Sequence, residues 1–288
     1  MGLKAQKNVI KISSRKTRDY WEIPVLYEDN HLMVIDKPSG LYTRPDELDP
    51  HIPALNLLLV DHIDRKVQWT VDRGITFLKP AQELDSEASG VLILGKSEEA
   101  CVLVHDQFFS HDFMIDYQLI IQGTPVEDEF SVEAKIAPHG KRPGVYCVSK
   151  SRGKKAKTHF EVVEHFMGYS VVRARCSPNR QHQARVHMRY LGPSLVGDQT
   201  YNGGPLLLSR LKPKYRLKRN KTERPLMSRA AIHASKISLK KLFSDEMMTV
   251  ESPLPKDFEV SLKYLSLYAN PSGFIEEPGY THSLDDYS

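Results

Sequence analysis

Residues 113–122 alternate: Phe113, Ile115, Tyr117, Leu119 and Ile121 share one side, while Asp116, Gln118 and Gln122 share the other. A period of two marks a strand with one buried face, and Gly123 closes it. An apolar run at 91–94 directly after Gly90 predicts a second strand. Residues 25–27 and 31–36 read as a strand pair around the turn-prone Asp29-Asn30, stopped by Lys37-Pro38-Ser39-Gly40. Further strands are predicted at 158–164, 169–175, 232–239 and 247–250. Helical spacing is clearest at Leu55, Leu58, Leu59, His62 and Ile63, after Pro53 as the opening residue. Ser97 predicts the cap of a helix through Phe109, with Glu98 and Glu99 at its positive end. Residues 180–191 predict a helix ended by Gly192-Pro193, and 253–264 a proline-bounded turn finishing in a short helix. Order is expected from about Val25 onward, after a loosely docked arm rich in Lys, Arg and Ser, and disorder from Asn270. No internal repeat is present. Strands outnumber helices and many are hairpin-like, so the predicted class is α+β with a mixed, largely antiparallel sheet.

Composition changes this picture little: 40% hydrophobic and 26% charged residues are ordinary for a globular enzyme. The distribution of charge adds more than the net +4. Lys212, Lys214, Arg216, Lys218, Arg219 and Lys221 lie between Arg210 and Arg224, opposed only by Glu223. Lys150, Arg152, Lys154, Lys155 and Lys157 form a second cluster, whereas the tail from 272 onward is acidic, without Lys or Arg. Such runs either attract a polyanion, RNA being the commonest, or are solvated loops. Cys101, Cys147 and Cys176 form no Cys-x-x-Cys pair, which fits reduced thiols and a cytoplasmic protein. No secretory signal and no membrane-spanning stretch are expected.

Two segments carry candidate chemistry. Asp85, in Glu83-Leu84-Asp85-Ser86-Glu87-Ala88-Ser89-Gly90, precedes the apolar strand, where a scaffold-held carboxylate is either a nucleophile or base, or a turn cap. In Asn179-Arg180-Gln181-His182-Gln183-Ala184-Arg185-Val186-His187, a helix would put Arg185 one turn from Gln181 and Arg189, as a stripe facing a cleft or as a basic surface. Tyr117 is either core or catalyst. His182 and His187 are five apart, off a common helix face, and no metal site is expected. Glycine-rich nucleotide, phosphate-loop and serine-hydrolase patterns are missing.

Together and in this order these segments resemble the RluA-type pseudouridine synthases. The likeness opens with Val25 to Gly40, ending in Lys37-Pro38-Ser39-Gly40. It continues through Leu84 to Leu92, Tyr117 with Gly123, and Arg180 to His187. Gly197-Asp198 with Tyr201, and Ala231-Ile232-His233-Ala234, complete it. The resemblance implies a catalytic domain at 25–268 with a central RNA-binding cleft and a basic insertion at 205–226, flanked by a basic arm at 1–24 and an acidic tail at 269–288. The arm is too short for the N-terminal RNA-binding S4 domain that relatives often carry. The implied activity is isomerisation of a flipped-out uridine to pseudouridine in a tRNA or rRNA stem-loop, by a monomer using no cofactor. Asp85 would be the nucleophile, attacking ribose carbon 1′ or ring carbon 6; Tyr117 would pack on the uracil and Arg185 pair with Asp85. Lys37, Arg180, His182, Gln183, Lys154, Lys155, Lys218 and Arg219 would contact RNA.

The chain departs from the family pattern beside the nucleophile, where Gln82-Glu83 replace His-Arg; Ala88 replaces a common Thr and Asn179 a common Gly. That Arg ordinarily assists extrusion of the base. Either Arg44 or Arg73 substitutes for it, or the RNA is loosely structured, or the chain is a catalytically impaired RNA-binding protein on the same scaffold.

Overall fold

The computed structural model describes residues 8–46, 48–108, 113–217 and 220–271. The chain enters through strands β1 (Val9–Ser13), β2 (Tyr20–Glu28) and β3 (Leu32–Lys37), then helices α1 (Leu55–Asp64) and α2 (Gln68–Asp72). A short β4 (Lys79–Pro80) leads to β5 (Ser89–Gly95), α3 (Glu98–Gln107) and β6 (Met114–Gln122). Next come β7 (Glu129–Pro138), β8 (Tyr146–Val148), β9 (Lys154–Phe166), β10 (Tyr169–Ser177) and α4 (Gln183–Tyr190). The last elements are β11 (Ser194–Leu195), α5 (Leu208–Leu211), β12 (Ile232–Lys240), β13 (Met247–Glu251) and α6 (Lys256–Tyr268).

Among the described residues the strands form one sheet, ordered β1-β2-β3-β5-β12-β6-β10-β9-β7-β8, with β4 beside β5, β11 beside β6 and β13 beside β12. Only β5 and β12 pair in parallel, so the mixed, mostly antiparallel α+β class holds. Local chemistry explains the connections. Asp29 Oδ1 accepts from the backbone N–H groups of His31 (2.8 Å) and Leu32 (2.7 Å), closing the turn between β2 and β3. Ser97 caps α3 by accepting from Ala100 N at 3.0 Å. The residues 32–35 of β3 and 91–94 of β5 are buried on both sides, as central strands require. In β6, Ile115, Tyr117, Leu119 and Ile121 are buried as the alternation predicts. Ile120 breaks the period because it packs in a second core with Phe258 and Leu265 of α6.

Three segments differ from expectation. Residues 9–13 and 20–24 are strands, not an arm before Val25: β1 pairs with β2 from Val9↔Pro24 to Ser13↔Tyr20, and Ile10, Ile12 and Ile23 are fully buried. Their alternation is short and sits among lysines and arginines that point outward, which masks it. Helix α4 starts at Gln183 rather than Arg180, because His182 takes a left-handed backbone at φ +57°. Strands β7 and β8 had no sequence expectation at all. Within the basic stretch 205–226, Leu206 and Leu211 are buried with Met227 in the second core. The expected disorder from Asn270 falls, from 272 on, outside the described residues.

The parallel seam between β5 and β12 is tight. Gly90 lies opposite Ala234 at φ +113°, and a Cβ there would sit 2.1 Å from the Ala234 carbonyl oxygen. Beside it the buried His233 lies with Nδ1 3.0 Å from Ser89 Oγ and Nε2 3.4 Å from the Ser252 carbonyl. The carbonyl can only accept, so Nε2 carries the proton and Nδ1 accepts from the hydroxyl. Burial pushes this imidazole down to about 4, from 6.5. Between those values the unfolded chain binds the proton and the folded chain does not, so stability falls as pH falls. The His233 contribution to that loss is about 3 kcal/mol once pH is below 4. Urea titrations of His233→Asn are therefore expected to show a correspondingly shallower acid loss than the parent; parallel curves would refute the buried neutral ring.

Candidate active site

The loop between β4 and β5 is held from beneath by the turn after β3. Thr43 Oγ1 donates to the Leu84 carbonyl (2.8 Å), Gly40 N to that of Ser86 (2.8 Å) and Ser39 Oγ to that of Glu87 (2.8 Å). Lys37, expected to touch RNA, is fully buried instead. Its Nζ donates to the carbonyls of Leu41 (2.7 Å), Pro38 (2.9 Å) and Ser86 (3.4 Å), which leaves it no route to a phosphate. Burial pushes its pKa down to about 7, against the opposing pull of Asp85. Three carbonyl acceptors match the three donors of the ammonium form, so the geometry favours the charged state.

This cradle presents Asp85 to Arg185, a hundred residues further along the chain. Asp85 Oδ2 accepts from Arg185 Nη1 at 3.1 Å, and Oδ1 accepts from His182 N at 3.3 Å. Burial of the carboxyl raises its pKa, but His182 and Arg185 outweigh this and hold it below the usual aspartate value. His182 itself is pushed down by burial, so at neutral pH its ring is uncharged and Arg185 is the lasting countercharge. Tyr201 Oη accepts from Tyr146 N (3.1 Å) and lies 2.8 Å from His182 Nδ1.

Arg185 is 2% exposed, in a helix whose residues 183–188 are all buried. The basic-surface alternative is thereby removed. Its Nε and Nη2 fork onto Asp198 at 2.7 and 2.8 Å, Nη2 reaches Glu87 at 3.1 Å, and its plane lies 5.1 Å from the Tyr201 ring centre. Burial disfavours the charge; Asp198 first, then Asp85 and Glu87, raise the pKa above the arginine range. Sequence reasoning placed Asp198 only as a landmark, and nothing in the local pattern marks Glu87 as a partner of a residue so far along the chain.

Tyr117 is 4% exposed at the centre of β6 and donates to Asn179 Oδ1 at 3.2 Å. Burial pushes its phenol well up, so it stays protonated. The departure at Asn179 thus supplies the hydroxyl's partner. Asp85, Tyr117, Arg180, His182 and Lys154 line one cleft of about 360 Å³, with Arg44 and Glu83 among its other walls. Arg44 Nε meets Glu83 Oε1 at 2.9 Å, both half exposed. Arg73 does not line the cleft; its guanidinium is engaged by Glu28 and Asn8.

Gln183, also expected to contact RNA, is among the residues lining that cleft. Only 2% exposed, its amide donates to the Lys157 carbonyl (2.9 Å) and Thr158 Oγ1 (3.1 Å), and its oxygen accepts from Arg180 N (3.0 Å). It braces the turn that carries His182. Lys155 points to the opposite face of β9 from Lys154, while Lys218 and Arg219 lie outside the described residues. Among the described residues no three His, Cys, Asp or Glu side chains are grouped to hold a metal ion.

Residues 31–190 match the family model described as RNA pseudouridylate synthase. The chain belongs to this family. It is 31% identical over 237 residues to ribosomal large subunit pseudouridine synthase D of Pseudomonas aeruginosa, covering 82% of this chain and 70% of that one. It is 28% identical over 243 residues to an uncharacterized RNA pseudouridine synthase of Bacillus subtilis, covering 84% and 72%. Human RNA pseudouridylate synthase domain containing 4 shares the fold, at 20% identity and a TM-score of 0.61 over 85% of this chain and 94% of that one. Human domain containing 1 does so at 20% identity and 0.57, over 81% and 84%. The chain is thus an RNA pseudouridine synthase, an isomerase. No helix among the described residues is long and apolar enough to cross a membrane.

Asp198→Asn preserves volume but removes the charge that forks Arg185. Its expected cost is about 2–4 kcal/mol in urea titration at neutral pH; an unchanged midpoint would mean that the fork does not orient the guanidinium.

Proposed function

We propose that Asp85 is the nucleophile of this pseudouridine synthase, with Arg185 as its permanent countercharge and Tyr117 as the neutral aromatic wall of the uridine site. The observation that carries the reading is the 3.1 Å contact between Asp85 and Arg185 at a cleft also lined by Tyr117. A carboxylate shut away with a base would ordinarily take up a proton and lose its reactivity; the guanidinium opposes that. The ionised oxygen attacks the nucleoside, at ribose carbon 1′ or at ring carbon 6. The glycosidic bond breaks, the uracil turns, and carbon 5 bonds to ribose carbon 1′ while the bond to Asp85 breaks and frees the carboxylate. The proton lost from carbon 5 is matched by one gained at nitrogen 1, so the net change is an isomerisation. Tyr117 stacks on the ring throughout.

Reaching that geometry requires the uridine to leave its helix, at a cost of a few kcal/mol. Arg44 stands at the cleft wall and supplies a cation for the opened strand, with Glu83 fixing its approach. Lys154, Arg180 and His182 continue the RNA path along the same cleft. Lys155 lies directly across from Lys135 of β7. Like charges so paired repel in the free protein, and a phosphate backbone across them turns the repulsion into attraction. Lys218 and Arg219, cations of the basic stretch 205–226, are proposed as further RNA contacts. The relatives named for the ribosomal large subunit favour a ribosomal stem-loop over tRNA as substrate. Nucleophile, arginine and cleft come from one chain, which suits a monomer, and three free cysteines suit the cytoplasm.

The test incubates the protein and its Asp85→Asn variant with ribosomal RNA and tRNA transcripts of the host and maps pseudouridine. The parent is expected to modify ribosomal RNA. Asp85→Asn should lose at least about a thousandfold in rate while binding the same RNA within about threefold. Undiminished turnover by the variant would end the assignment of Asp85.

A further inference from the structure

One positive charge serves three carboxylates around Arg185. Nη2 is divided between Asp198 Oδ1 (2.8 Å) and Glu87 Oε2 (3.1 Å), while Nη1 reaches Asp85 Oδ2 (3.1 Å). Their access to water differs: the Asp198 side chain is fully buried, that of Asp85 is 12% exposed, and that of Glu87 is 34% exposed. Glu87 faces a second cleft of about 330 Å³, which Asp85 does not line, with Tyr42, Gln199, Ser228 and Arg229 around it. Its backbone is pinned, since its carbonyl accepts from Ser39 Oγ (2.8 Å) and Arg229 Nη1 (3.0 Å). The side chain therefore addresses Arg185 from the side opposite the uridine cleft's nucleophile without entering that cleft.

We propose that Glu87 is a positioning residue for the reaction: holding Arg185 from the second cleft, it limits the share of positive charge given to Asp85 and keeps that carboxylate basic enough to attack. The proposal rests on Asp85 being the nucleophile. A guanidinium committed wholly to Asp85 would stabilise its charge and blunt it as a nucleophile. Glu87 and Asp198 divide the charge, and of these two Glu87 is the one in contact with solvent.

Burial raises the Glu87 pKa; Arg185 opposes this, and the charges of Asp198 and Asp85 add to it. As pH falls, Glu87 therefore takes a proton before Asp85 does, and the guanidinium swings its charge toward Asp85. The other groups facing Asp85 are Lys37 at the end of β3, His182 before α4, Tyr117 on β6, Cys176 on β10 and Tyr201. Glu87 additionally faces Tyr42 and, through its carbonyl, Arg229. Burial pushes the Cys176 thiol up to about 12 and raises Tyr117, Tyr42 and Tyr201, so these remain neutral in the acid range. His182 takes its proton only below 6.5. It sits beside Asp85 in every variant below.

The experiment needs no RNA, so its outcome is independent of whether Asp85 proves to be the nucleophile. Protein labelled with carbon-13 at the aspartate carboxyl is titrated by NMR, with the Asp85 resonance assigned by its loss in Asp85→Asn. In the parent the Asp85 resonance should show a step with a midpoint above the 4.5 of an ordinary glutamate, matching the Glu87 carboxyl in a glutamate-labelled sample. Glu87→Gln should abolish that step, and Glu87→Asp, which keeps the charge, should retain one. Glu87→Ser, smaller and also uncharged, should lack it too and serves where the Gln variant does not fold. A parent resonance that does not follow Glu87, or a step at the Glu87 midpoint, beyond the one His182 gives every variant, that persists in Glu87→Gln and Glu87→Ser, would overturn the proposal.

Discussion

The buried guanidinium of Arg185 is the constraint on which the site depends. Burying an unpaired charge of this kind would cost several kcal/mol, and removing one partner of a buried set leaves the others exposed to that cost. The fold meets the requirement by converging three carboxylates from separate parts of the chain: Asp85 and Glu87 from the loop before β5, and Asp198 from the turn after β11. The charge of the proposed nucleophile and the charge that stabilises the fold are therefore one network. Under that proposal, anything that shifts the loop against α4 alters both the stability of the protein and the reactivity of Asp85.

The sheet makes that convergence possible. The central strands β5, β12 and β6 bring the end of one loop, the middle of β6 and the turn leaving β10 to a common point. Gly90 permits the close approach of β5 to β12, and the turn after β3 supports the catalytic loop from below with Lys37 as an internal cation. Lys37 and Gln183 brace the turns that carry Asp85 and His182. Under the proposed function the cations that would face RNA are those on the cleft walls, Arg44, Arg180 and Lys154 among them.

Much of this was legible in the amino-acid order. Strand β6 declared itself through the alternation across residues 113–122, interrupted at Ile120, and α3 through its Ser97 cap, because both follow from local periodicity and capping. The three central residues Asp85, Tyr117 and Arg185 were legible through the order of motifs, and the structure brings them to one place. What escaped depends on long-range contact. β1 hides its two inward isoleucines on either side of the exposed Lys11; β7 gains order by pairing with β9, and β8 by pairing with β7, not from their own pattern. Lys37 looked like a phosphate ligand because burial is invisible in a charged residue's name. Glu87 and Asp198 as partners of Arg185 could only emerge once the chain had closed.

Catalysis as proposed requires Asp85 to stay ionised beside Arg185 while a uridine is bound. The most direct measurement is the single-turnover rate of pseudouridine formation as a function of pH. Between pH 7 and 5 it should fall by no more than about threefold, since the carboxyl is held below the 3.8 of an ordinary aspartate. A tenfold loss per unit over that range, in protein that remains folded, would mean that the nucleophile is being protonated near neutrality and that Arg185 does not perform the role assigned to it.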